Sequence, residues 1–339
     1  MATLTERRAA ILQLIVNDYI DNATPVGSET IVRKYGLKVS PATIRNEMVK
    51  LEEEGYLTQP HTSAGRVPSD LGYRYYVETL MGEEDLSPDE KRQILHQFHQ
   101  AAAQMDAWLD LAAAVLARSV RNLALVTAPR SPRVHFRHAE IVSLESYLAL
   151  LVLVLREVHA KEQVLMFPEP VTQEELWRTA NQLNEELAGL TAPEIRARQL
   201  ELTRLGQQAL EAVLRLMEAE DSTEFPSPRL SGLRNVLSQP EFSNGEKMLG
   251  VLDVLEERNL SRAIPLDRIA EEGVTVIIGA ENRQDAMREC SVVITRYGVP
   301  GWSGTLGILG PTRMHYPRAI STVRYLASVL TELVDRWKG

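Results

Sequence analysis

Asn46 is the residue from which the chemistry of this chain can be argued. A side-chain amide sets a donor and an acceptor side by side, which matches the edge that adenine shows in the major groove of DNA. Arg45 beside it can pair with guanine or with a phosphate, and Lys50, one turn on, with a phosphate. All three lie in VSPATIRNEMVKLEEEGYL, residues 39–57. With about 100° per residue on a helix, Ile44, Met48 and Leu51 fall on one inward stripe. Ala42, Asn46, Val49 and Lys50 then point away from it, with Thr43 and Arg45 on the flanks. Ser40 is a natural acceptor at the helix N-cap, and Pro41 suits the first helical position, where no amide donor is missed. Small residues in that first turn let the backbone approach base edges, and the positive end of the helix dipole favours phosphate. From Arg33 to Lys50 there are five basic residues (Arg33, Lys34, Lys38, Arg45, Lys50) against one acid, Glu47, a local charge of +4. The competing reading is a protein-docking helix whose charges only solvate a face.

Other residues offer catalysis or metal binding much less. His96 and His99, and His135 and His138, are spaced i, i+3 and would each share a helical face, but neither pair has the cysteine or carboxylate partners of a metal site. Gly301-Trp302-Ser303-Gly304 has a serine between glycines but lacks the second glycine two residues after the serine that a nucleophile elbow needs. Gly304, Gly307 and Gly310 fit neither phosphate-loop fingerprint. Cys290 is the one cysteine, so there is no intrachain disulfide and no cysteine-based zinc site; it reads as a small packed apolar residue. The expectation is therefore no enzyme activity, no cofactor and no metal.

The elements that must hold the Asn46 face come before and after it. LTERRAAILQLIVNDYIDNA places Leu12, Ile15, Val16 and Tyr19 at helical spacing, with Thr5 as a cap. TPVGSETIVRKYG gives a shorter helix ending at Gly36, a residue suited to the left-handed position after a helix. After the third helix, Tyr56-Leu57-Thr58 and a second segment at Arg66-Val67 flank a Gly- and Ser-containing tip. Three helices and a two-stranded tab make a winged helix-turn-helix, with the third helix sized for the major groove. In the tab, His61, Thr62, Ser63 and Arg66 are candidates to reach the DNA backbone or the neighbouring minor groove. The full set of candidate DNA contacts is Ser40, Ala42, Thr43, Arg45, Asn46, Lys50, His61, Thr62, Ser63 and Arg66.

The whole chain sets bounds on that reading. Its 339 residues suffice for two or three domains, and 44% apolar with 24% charged residues is the balance of an ordinary globular protein. A net charge of −9 argues against a surface that binds nucleic acid everywhere, while leaving room for a local basic patch. The longest apolar run, LALLVLVL at 148–155, is far short of the ~20 residues that span a bilayer, and the start has no signal-peptide core. A cytoplasmic protein with no membrane partner is the expectation.

Beyond residue 81 the acidic stretch GEEDLSPDEKRQILHQF leads into a helix from about Ser87, which continues with a break to Asn122. NLALVTAPR, AEIVSLES, YLALLVLVLREV and KEQVLMFPEP read as strands, followed by a helix at 172–188. VTVIIGAEN, SVVITRYGV and TLGILGPTR restore the strand pattern much later. A last helix carries Val323, Leu326, Ala327, Leu330 and Val334 on one stripe. Strands on both sides of an interruption suggest an α+β sheet domain split by an insert at about 190–265. In that insert Leu202, Leu205, Ala209, Ala212 and Leu216 form a stripe open to two readings, packing within the chain or on a partner.

The string PVGSETIVRKYGLKVSPATIRNEMVKLEEEGYLTQPHTSAGRVPSDLGYRYYV closely resembles the N-terminal domain of the HrcA family of bacterial heat-inducible transcription repressors. The resemblance continues, more loosely, past residue 82. It implies a GAF-like domain in two parts, 105–189 and 266–339, around an inserted, mainly helical dimerisation domain at 190–265. The winged helix-turn-helix occupies 1–81, and 82–104 form the linker and connecting helix. It further implies a homodimer on an inverted-repeat operator in double-stranded DNA, the CIRCE element upstream of chaperone operons, with the chaperonin favouring the active repressor. Two-fold sites calling for two heads support a dimer on physical grounds as well. The alternative is a ligand-gated regulator with a small-molecule effector in the GAF-like domain.

Overall fold

The computed structural model describes residues 4–61, 64–101, 104–131, 133–156, 160–221, 228–243, 245–255, 268–270 and 272–338. It is an α+β protein that divides into two compact units. One comprises 1–129, 227–299 and 303–339; the other comprises 130–226 with 300–302.

In the first unit, the apolar stripes of three helices converge on one small core. These are α1 (Glu6–Asn22), α2 (Ser28–Tyr35) and α3 (Pro41–Glu53). Leu12, Ile15, Val16, Ile31, Ile44, Met48 and Leu51 are all buried there. Gly36 follows α2 in the left-handed region, as its position suggests. Thr5 does occupy the N-cap of α1, but its side chain makes no capping hydrogen bond. Gly55, at φ +82°, turns the chain out of α3 into β1 (Leu57–Thr58), which pairs antiparallel with β2 (Val67–Pro68). The tab is anchored at its base by Val26 and Arg66, which exchange backbone hydrogen bonds of 2.8 and 2.9 Å. Helix α4 (Asp70–Tyr75) continues into a wider turn at Tyr76–Leu80. Helices α5 (Pro88–Gln100) and α6 (Met105–Val120) follow, the first opened by a reciprocal Ser87–Glu90 capping pair.

The same unit holds a five-stranded sheet in the order β7-β3-β10-β9-β8. Its strands are β3 (Leu123–Val126), β7 (Arg229–Ser231), β8 (Val274–Ile278), β9 (Cys290–Val299) and β10 (Trp302–Pro311). The long helix α12 (Tyr316–Lys338) packs over β9, burying the stripe Val323, Leu326, Ala327, Leu330 and Val334. Between β7 and β8 lie α10 (Leu233–Leu237) and α11 (Gly245–Leu255).

The second unit has its own three-stranded antiparallel sheet, β4 (Phe136–Glu145), β5 (Leu148–Leu155) and β6 (Lys161–Met166). One face is covered by α7 (Gln173–Leu187), α8 (Ala192–Ala197) and α9 (Arg204–Asp221). Ala209 and Ala212 lie in this core, and Leu202, Leu205 and Leu216 pack against it, so the stripe of α9 is satisfied within the chain.

This division differs from the boundaries expected at 105–189 and 190–265. Strands β4–β6 do not join β3 in one sheet; they belong with α7–α9 in the separate unit, which starts at 130. Strand β7, inside the expected insert, pairs with β3 through Ala124↔Ser231 and Leu125↔Leu230 and so belongs to the five-stranded sheet. Strand partners are chosen by contacts distant in sequence, which a local pattern of alternation does not encode.

Candidate nucleic-acid interface

The reading face forms as the spacing of α3 demands. Ile44, Met48 and Leu51 are buried, while Ser40, Ala42, Arg45, Asn46 and Lys50 are exposed and Thr43 is half-buried. Val49, placed on the outward face by sequence, is half-buried. Ser40 caps the helix: its Oγ accepts from the Thr43 backbone N–H at 3.1 Å and lies 2.9 Å from the Thr43 hydroxyl. Pro41 carries no N–H and that of Thr43 is capped, so the Ala42 N–H is the one left in the first turn for an anion, which helix end and dipole together stabilise.

Charge is sorted between the two sides of α3. Glu47, the one acid between Arg33 and Lys50, is turned back to Arg8 of α1, 3.2 Å from its Nε, and Glu54 also contacts Arg8. Glu52 is paired with Arg66 at 2.8 Å. Lys34 bonds the buried Asp18 at 2.5 Å, and that bond holds its ammonium above the ordinary lysine range. Among the described residues, Arg33, Lys38, Arg45 and Lys50 are exposed with no ion-pair partner. The outward side up to Lys50 is therefore cationic although the chain as a whole is acidic, and exposed Glu53 marks the C-terminal end of that stretch. In the sequence Arg33 and Lys38 contribute only to the local charge; their exposure beside the turn into α3 adds them as candidate phosphate contacts.

The tab is less uniform. His61 is exposed, and its carbonyl accepts from the Ala64 N–H at 2.9 Å. Thr62 and Ser63 lie outside the described residues. Arg66 differs from expectation: its side chain is 15% exposed and committed to Glu52, and its Nε is buried without a partner, so it braces the tab against α3. Gly65 makes that bracing possible, since a Cβ there would lie 2.4 Å from the Val26 carbonyl oxygen.

The residues weighed for other chemistry find structural places. His96 and His99 are exposed on α5, as their spacing suggests. His138 is in strand β4, 3.2 Å from Glu140, so His135 and His138 share no helical face. Among the described residues no group of three His, Cys, Asp or Glu is placed to hold a metal ion. Gly301 lies at the turn joining β9 to β10, with no helix following, so the serine after it is not on an elbow. Gly304 and Gly310 permit close packing in the sheet: a Cβ would meet the Tyr297 ring at 2.7 Å or the Asn122 side chain at 2.4 Å. Cys290 is buried, and desolvation pushes its thiol up to about 12, which leaves it protonated and inert. An apolar groove of about 390 Å³ beside β7 is lined by six aliphatic or glycine residues and Ser231. No helix among the described residues is long and apolar enough to cross a membrane.

A family model described as the HrcA protein C terminal domain matches residues 106–320. The heat-inducible transcription repressor HrcA of Roseiflexus castenholzii is 43% identical over 346 residues, covering 99% of this chain and 96% of that protein. The chain belongs to the HrcA family of heat-inducible transcription repressors. A second relative, from Dehalococcoides mccartyi, carries the same description at 42% identity over 337 residues, 99% of this chain and 97% of its own length. A crystal structure of a protein described as hypothetical matches with TM-score 0.61 and 25% identity over 98% of this chain and 99% of that one, so the whole architecture recurs. The family is one of transcription repressors rather than enzymes.

Proposed function

We propose that this HrcA-family chain represses heat-shock chaperone operons by binding, as a homodimer, an inverted-repeat operator of CIRCE type in double-stranded DNA. The observation that carries the reading is the outward face of α3. It presents Ala42, Arg45, Asn46 and Lys50 to solvent while the nearby acids Glu47 and Glu52 are drawn off by Arg8 and Arg66. Ser40, Thr43 and His61 extend that face toward the backbone, and Thr62 and Ser63 remain proposed contacts of the tip.

The dimer reading is supported by the outer face of the three-stranded sheet. On β5 the outward residues Leu148, Leu150, Val152 and Val154 are all aliphatic, where a solvated antiparallel sheet alternates to polar side chains. Around Leu148 and Leu150 the cross-strand neighbours Val142, Val164 and Met166 are 42%, 56% and 71% exposed, whereas Val152 is flanked by Glu140 and Glu162 and Val154 by His138. An exposed apolar patch with charged residues at its edge is the pattern of an interface, and a second copy of the chain would cover it. On this reading we propose that dimerisation uses residues 130–226, a span that only partly overlaps the expected 190–265. Regulation by chaperonin availability completes the proposal: release from the chaperonin yields active dimers, and equal refolding yields of DNA-binding activity with and without chaperonin would remove that part.

The deciding measurement is a gel shift with an inverted-repeat operator and a scrambled duplex, run across salt. With about six phosphates neutralised, affinity should fall by about 10³ between 50 and 200 mM salt while the scrambled duplex stays weak. Equal binding to both duplexes would reduce the site to a non-specific cationic patch.

A further inference from the structure

We propose that Asp70 and Arg74 are positioning residues: they clamp the winged head to the five-stranded body and thereby fix the half-site spacing that the protein accepts. The inference rests on the DNA reading above.

The clamp joins residues that are 207 positions apart in sequence. Arg74 of α4 donates from Nε to Glu281 at 2.8 Å, from Nη2 to the other oxygen of the same carboxylate, and from Nη2 to the Val276 carbonyl at 2.7 Å. Glu281 is itself oriented by the Ile278 N–H at 2.9 Å. One turn earlier, the Asp70 carboxylate accepts from the Ala280 N–H at 2.8 Å. Gly279 stands between them at φ +52°, and a Cβ there would lie 2.1 Å from the Asp70 carboxylate, so the approach requires glycine.

A second anchor holds another part of the head. Arg313, 12% exposed, is fixed by Glu241 at 2.5 Å and Gln239 at 2.6 Å and donates to the Ile20 carbonyl of α1 at 3.3 Å. One anchor alone is a pivot; two, on α1 and on α4, remove rotation. Because α3 is tied to α1 through Arg8 and Glu47, the direction of the reading face follows from both anchors. A head free on a tether would follow half-sites at any nearby separation, whereas a clamped head meets only those in one helical phase.

The test uses full-length protein and a panel of operators with the two half-sites at native separation, or lengthened by about 2 or about 5 bp, the latter turning one half-site to the opposite face of the duplex. Wild type should lose at least about tenfold in affinity on the 5-bp insert. In Arg74→Gln and Glu281→Gln, and in the milder Asp70→Asn, that penalty should shrink to within about threefold, with binding to an isolated half-site unchanged. Generalised loss of structure would weaken all duplexes alike and would leave the ratio between spacings as it was. A wild-type spacing penalty retained in all three variants overturns the inference, as does a wild type that accepts every spacing.

A second readout needs no DNA. Spin labels at Glu53→Cys and Arg324→Cys, both exposed sites, are measured in chains diluted with unlabelled protein; Cys290 is buried and does not compete. The head-to-body distance should be narrowly distributed in wild type and broadened by Arg74→Gln; equal widths overturn the clamp. A broadened distance in a protein that binds none of the duplexes would sink the DNA reading and leave the clamp standing.

Discussion

Asn46 and Lys50 sit one turn apart on α3, both exposed, and should act on DNA through different physics. An amide that pairs with a base edge discriminates between sequences, so Asn46→Ala should cost about 1–3 kcal/mol on the operator and relax the preference at one base pair. A lysine on phosphate carries no sequence information, so Lys50→Ala should weaken all duplexes alike and reduce the salt slope by about one. Neither touches the core, so melting should move by no more than about 0.5 kcal/mol. Unchanged affinity in both variants would defeat the groove assignment. Arg66 is the contrasting case. Its guanidinium is spent on Glu52, so Arg66→Ala should destabilise the head by about 1–2 kcal/mol in denaturant melts, with DNA binding by the folded fraction retained. A loss of affinity at unchanged stability would return Arg66 to the DNA. The α3 face was legible because helical periodicity fixes which residues point inward. Arg66 was not, because its direction depends on a partner on another element.

At the scale of elements, the helices were readable and the sheets only half so. Ser40-Pro41, Gly36 and the stripe of α12 each act within one or two turns, and all appear where the sequence puts them. Strands β3 to β6 were also recognisable as strands, yet their assignment to two separate sheets depends on partners up to about 180 residues away, such as Leu306 opposite Val126. The capping pair of α5 shows local and distant effects meeting on one residue. The Glu90 carboxyl is pulled down to about 2, first by the hydrogen bond from Arg318 of α12, then by the Ser87 side chain and backbone. A carboxylate lowered from 4.5 on folding contributes stability above the higher value and loses it as pH falls through the window to about 2. Arg318→Gln removes the largest of these causes. The Glu90 resonance in a carboxyl-detected NMR titration should then move its midpoint up toward the ordinary range, and acid unfolding should begin at higher pH. A midpoint that stays near 2 would assign the whole effect to the Ser87 cap.

For the whole molecule, the apolar outer face of the β4–β5–β6 sheet and the proposed two-headed grip make one joint prediction. Leu150 is the central outward residue of that face, flanked in register by Val142 on β4 and Val164 on β6. Its side chain is already half-exposed in one protomer, so Leu150→Glu adds a charge that an isolated chain can hydrate. The core behind it, built on Leu151, Leu153 and Leu155 with α7 and α9, is untouched. Far-UV circular dichroism should therefore stay as in wild type, whereas a copy packed against this face would have to desolvate a carboxylate against aliphatic neighbours. Sedimentation velocity should show the variant as a monomer. If two heads act together, the second binds at an effective concentration set by the first, and its loss should cost about 10²–10⁴ in operator affinity. Binding to a single half-site depends on one head alone and should be preserved. The pairing of results is what decides: a variant that remains dimeric moves the interface off this sheet. A monomer that holds the inverted repeat at wild-type strength would show that one reading helix suffices and that the second head contributes no affinity.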